Sequence, residues 1–168
     1  MKSIAIILFS LFLSVKSFGQ IKSDKYLLTI KFWPAFLDKS ELIINSNPDS
    51  TFLNLKLSND PNGDKAFLKL GDLKTLTDFL KTYKFQIKNS IDTIRVRKDG
   101  LVEAISGTDG ITVHGAFIQT NQERNFQFWS PRKNTQNYKL MSILFNLLDK
   151  SNLNQESVTY IKELKKYF

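Results

Sequence analysis

One histidine and no cysteine leave this chain few routes to chemistry. His114 is the candidate for acid–base work by an imidazole. A nucleophilic triad built on it would need a hydroxyl and a carboxylate, and Ser106 and Asp109 are close in sequence. No serine sits in a Gly-x-Ser-x-Gly elbow, the turn that lifts a nucleophile into reach. The expected role of His114 is therefore structural, a half-buried side chain in mid-strand, with a small exported hydrolase as the alternative. A transition metal needs three or four thiolate, imidazole or carboxylate ligands, which one histidine without cysteine does not suggest. Ser58, Asp60, Asn62 and Gly63 match the first, third, fifth and sixth positions of a calcium loop. Lys69 stands where the twelfth position needs a bidentate glutamate, so an ordinary turn is expected. The seven glycines never form a phosphate-cradling run before a helix, and no pair among the 16 acids stands out for glycoside hydrolysis. Neither a cofactor nor a metal is expected.

What remains is surface. Arg95, Arg97 and Lys98 cluster at one hairpin tip, Arg124, Arg132 and Lys133 flank another strand pair, and His114 and Trp129 share a half-covered face beside it. Arginine with an exposed tryptophan is the composition of a protein-binding hot spot. The same cations on a sheet edge also discourage aggregation, so each cluster has a bland explanation as well. These eight residues form the candidate binding set.

The elements that must position them are read from alternation and spacing. Asp109–Pro131 alternates apolar and polar residues on both sides of a polar tip, Thr120–Glu123, which predicts an antiparallel hairpin. Setting Phe117 opposite Phe126 places Gly115 against Phe128 and His114 against Trp129. Ile111, Val113, Phe117, Phe126 and Phe128 then face the core, and Thr112, His114, Ile118, Asn125, Gln127 and Trp129 face the other way. Upstream, Lys98-Asp99-Gly100 reads as a turn with a glycine bulge, which pairs Arg95 with Glu103 and Val96 with Val102. Four consecutive antiparallel strands follow: Ile91–Arg97, Leu101–Ser106, Ile111–Gln119 and Arg124–Ser130.

Tyr26–Trp33 reads as a strand stopped by Pro34, with Phe36 and Leu37 tucked inward after it. Glu41–Asn45 and Thr51–Leu57 form a hairpin around Asn47-Pro48-Asp49-Ser50, and Asn59–Asp64 is a loop. Asp72 is placed as the cap of a helix running to about Lys84 on Leu73, Leu76, Phe79, Leu80 and Tyr83. Asn137–Lys150 is a second helix with a wide apolar arc. Asn154 caps a third, in which Val158, Ile161 and Leu164 face inward. The expected fold is α+β, an antiparallel sheet of hairpins with helices packed on one face.

Lys2, the apolar run Ile4–Val15 and the small residues Ser17 and Gly19 form the pattern of a secretory signal peptide cut after Gly19. The run falls short of the roughly 20 residues a spanning helix needs. Residues 20–168 are then a single domain, and the formal charge drops from +8 to +6 as Lys2 and Lys16 leave. Without disulfides, stability must come from packing, for which 14 phenylalanines provide material. The resulting expectation is an exported, non-enzymatic binding protein of the periplasm or extracellular space, inhibitor- or immunity-like. Its expected partner is another protein, with an anionic envelope surface as the second choice. Nucleic acid is not expected, because no reader motif accompanies the basic charge.

Overall fold

The computed structural model describes residues 25–47, 50–87, 93–96, 98–99, 102–105 and 110–168. The expected signal segment 1–19 lies outside them, as do Arg97, Ser106 and Asp109. The fold is α+β. Strands β1 (Tyr26–Pro34), β2 (Ser40–Ser46), β3 (Thr51–Leu57), β4 (Asp60–Phe67), β7 (Ile111–Gln119) and β8 (Gln122–Trp129) form one antiparallel sheet, ordered β4-β3-β2-β1-β7-β8. Strands β5 (Thr93–Val96) and β6 (Val102–Ile105) pair separately as a two-stranded sheet. Helices α1 (Leu70–Thr82), α2 (Gln136–Asp149) and α3 (Gln155–Leu164) cover one face of the large sheet.

Alternation explains why that face is the core. In β1, Tyr26, Leu28, Ile30 and Phe32 are buried, while Leu27, Thr29, Lys31 and Trp33 point the other way. Leu42, Ile44, Leu53, Leu55, Ile111, Val113, Phe117, Phe126 and Phe128 extend the buried side across the neighbouring strands. The helices close it with Leu73, Leu76 and Leu80 from α1, Leu140 and Leu144 from α2, and Ile161 and Leu164 from α3. Each fully buried aliphatic side chain contributes about 1.5–3 kcal/mol relative to exposure.

Helix starts are set by side chains. The Thr135 hydroxyl accepts a hydrogen bond from the Tyr138 backbone N–H at 3.2 Å, and Asn154 Oδ1 accepts one from Ser157 at 2.8 Å. Asp72 is not a cap. The helix start lies three residues earlier, with Lys69 in the cap position and no side-chain bond there, so the Asp72 carboxylate instead complements the helix dipole in the first turn.

Several expectations are corrected. The β7–β8 register is shifted by two residues: Gly115 opposes Phe126, Phe117 opposes Arg124, and His114 opposes Gln127. The cause is a tighter connection, because Thr120 (φ 49°) and Asn121 (φ 65°) both take left-handed backbone and make a two-residue turn. A shift of two preserves the face of every side chain, so the assignment of faces stands. Asn59–Asp64 is largely the start of β4 rather than a loop. Pro61 is tolerated on that edge strand, and Gly63 (φ 75°) sits where the β3–β4 register slips between Leu55 and Leu57. The four expected consecutive strands do not form one run, since β5 and β6 make their own sheet and β7 pairs with β1. Within that small hairpin, Arg95 does oppose Glu103 and Val96 does oppose Val102. Phe36 is 77% exposed rather than tucked in, and Val158 is 46% exposed, with Tyr160 buried on α3 instead.

Candidate functional site

The helices leave the second face of the sheet uncovered, and the register fixes what it displays. Trp33, Thr112 and Trp129 form one row across β1, β7 and β8. The next row runs Lys56, Glu41, Lys31, His114, Gln127, and the one after it Lys65, Asn54, Ile43, Thr29, Ala116, Asn125. The last contains Phe67, Phe52, Asn45, Leu27, Ile118 and Glu123. Lys65 Nζ lies 3.9 Å from the Phe52 ring centroid and 5.5 Å from that of Phe67. Phe67 is 76% exposed and Trp33 45%, so large apolar groups mark opposite corners of the face. Each exposed aromatic on this face has a cation beside it, Lys39 at Trp33 and Lys65 at Phe67.

At the tryptophan end, the His114 ring packs 4.4 Å from Trp33, centroid to centroid, and Lys39 Nζ sits 5.0 Å from the same indole. His114 Nε2 has no hydrogen-bond partner among the described residues. Burial, and secondarily the charge of Lys31 across the strand pair, holds the His114 imidazole below its ordinary pKa. The ring is thus neutral at pH 7. A catalytic imidazole is normally oriented by a carboxylate, and among the described residues the flanking partners of His114 are Lys31, Gln127 and Trp33. Glu41 is one strand further away and lies between two lysines, 3.8 Å from Lys31 Nζ and 3.9 Å from Lys56 Nζ.

Between these ends lies a shallow depression of about 300 Å³, with Gly115 and Ala116 in its lining. A larger groove, about 420 Å³, runs between α3 and the β1–β2 connection and is lined by Asp38, Glu156 and Glu163 around Leu57 and Tyr160. Among the described residues, no three histidine or acidic side chains gather as metal ligands. Asp60 Oδ1 instead accepts from the Asn62 and Gly63 backbone N–H groups, the bonds of a turn. No helix among the described residues is long and apolar enough to cross a membrane.

The eight candidates from the sequence are only partly brought together. His114 and Trp129 share the uncovered face, where Trp129 packs against Gly110. Arg124 is on the core side, its guanidinium carbon 4.6 Å from the Phe85 centroid and 5.1 Å from that of Phe117, where it caps the end of the core. Arg132 and Lys133 are exposed between β8 and α2, Arg95 belongs to the separate β5–β6 sheet, and Lys98 is exposed at its turn. Trp33, Lys31 and Lys39 were not singled out from the sequence. The alternation of Lys31 and Trp33 on β1 was visible, but the pairing of that strand with β7 was not. No protein-family model, curated protein or solved structure matches this chain.

Proposed function

We propose that this is an exported, non-enzymatic binding protein acting in the periplasm or outside the cell, and that the uncovered face of its sheet is the binding surface. The observation that carries this is Trp33, held 45% exposed against a His114 whose neighbours among the described residues include no carboxylate. An exposed indole among cations suits recognition, and the described neighbours of the imidazole across the strands, a lysine and a glutamine, do not supply the carboxylate that would orient it as a base. The signal-peptide pattern at the N-terminus supports export. Occluding another exported molecule, as an inhibitor or immunity protein does, is one use of such a face.

Retention of the purified protein on envelope preparations tests the reading. Trp33→Ala with Phe67→Ser should abolish retention, while Lys162→Ala, on an exposed site of α3, should leave it intact. Equal retention of all three proteins would sink the proposal. So would a hydrolytic activity that Glu or Gln in place of His114 reduces by orders of magnitude.

A further inference from the structure

Among the described residues, the lining of the depression on the uncovered face contains no carboxylate. Its lining combines hydrogen-bonding side chains and a cation, Thr29, Lys31, His114, Asn125 and Gln127, with the apolar Ile87 and Phe126 and the small residues Gly115 and Ala116. Ala116 lies in β7 between the bulkier His114 and Ile118, which point to the same face, so the floor drops there. The volume of about 300 Å³ is at the small end of ligand sites and suits one ring-sized unit of a longer chain. Among the described residues, the ion pair of Lys31 is a long contact to Glu41, which Lys56 shares, so its charge is available to an incoming anion.

Resting on the binding reading above, we propose that this depression holds a uronic acid unit of an acidic polysaccharide. The carboxylate sits against Lys31, the hydroxyls meet the Asn125 and Gln127 amides, and the apolar face of the sugar ring lies over Ala116. That ligand uses the cation, the amides and the apolar floor of the lining. A simple inorganic anion would leave the apolar floor and the amides idle, and a neutral sugar would leave Lys31 idle. The formal charge of +6 left once the expected signal segment is removed also favours a polyanion over a neutral chain.

A coupling to pH follows from the groups around His114. Lys31 and Trp33 face it from β1 and Gln127 from β8, with Glu41 beyond Lys31. An added carboxylate would favour the imidazolium, so affinity should rise as pH falls from 7 toward 5, where a uronate remains ionised. His114→Gln should remove that rise.

Calorimetric titration with oligogalacturonate, a neutral glucose oligomer of equal length, and oligoglutamate tests the assignment. Oligogalacturonate should bind, with an affinity that falls as salt is added. The other two should bind at least about tenfold more weakly. Ala116→Leu, which fills the floor from the solvent side, should abolish binding, Lys31→Ala should weaken it about tenfold, and Lys162→Ala should change little. Equal binding of the neutral oligomer, tighter binding of oligoglutamate, or indifference to both Ala116→Leu and Lys31→Ala would overturn the proposal. If oligogalacturonate does not bind while envelope retention still depends on Trp33 and Phe67, the sugar assignment falls and the binding face stands. If retention ignores Trp33 and Phe67, the face itself falls.

Discussion

Phe126 fills the space that a side chain on Gly115 would need: the two are direct partners across β7 and β8, and a Cβ on Gly115 would overlap the Phe126 ring. Phe126 is 2% exposed and packs among Tyr83, Phe85 and Phe128, so it has no room to retreat. Gly115→Ala is expected to cost about 1–3 kcal/mol in urea unfolding, the range for overpacking a tight core. Phe126→Leu in the Gly115→Ala background should recover part of that loss, because the two positions share one space. Additive losses would show that the ring does not lie where it is placed.

The turn at Thr120–Asn121 is strained, since a β-branched residue at φ 49° is unfavourable. Replacing the pair with Asn-Gly, the preferred sequence for a two-residue hairpin turn, should stabilise the protein by about 1 kcal/mol. The measurement discriminates between registers. With the four-residue tip Thr120–Glu123, an inserted glycine would bring no gain.

His114 gives stability a slope in mild acid. The unfolded chain titrates near 6.5, and burial followed by Lys31 holds the folded value lower. Between those values the unfolded chain binds more protons, so stability rises with pH. The contribution is complete above the unfolded value and is lost as pH falls through it toward the folded one. Melting temperatures measured from pH 7 down to pH 5 should fall in the parent and fall less steeply in His114→Gln.

Three tyrosines act in the alkaline range. Burial pushes Tyr26 and Tyr160 up to about 12 and Tyr83 higher still. Folded hydroxyls therefore hold protons that the unfolded chain gives up above its ordinary 10.0, so stability is intact below that value and declines as pH rises toward 12. Tyr160 also donates to the Asp38 carbonyl at 2.8 Å. Tyr160→Phe should lose about 1 kcal/mol at neutral pH and show a shallower alkaline decline in denaturant midpoint. An unchanged alkaline slope would mean that Tyr160 ionises as freely in the fold as out of it.

Local pattern carried much of the fold. Alternation placed His114 and Trp129 on one face and Phe117, Phe126 and Phe128 on the other, because a strand's period of two survives a register error of two. The turn expected from Lys98-Asp99-Gly100 led to the observed pairing of Arg95 with Glu103. Local signals failed where a neighbour distant in sequence decided the outcome. β4 was hidden by Pro61 and Gly63, which read as a loop until β3 supplies the edge that accommodates them. Arg124 read as a surface cation until Phe85 and Phe117 provided rings for it to cover.

By itself, then, the amino-acid order determined which residues could form strands and helices and which side of each strand is apolar, because those depend on steric periods of two and 3.6 within one segment. It also determined that a single imidazole would have to serve any histidine chemistry. Tertiary structure alone decided that β1 lies between β2 and β7, bringing Lys31 beside His114 and Trp33 onto its ring. That pairing joins segments about 85 positions apart, and its free energy comes from core burial shared over the whole sheet rather than from any local preference of the chain.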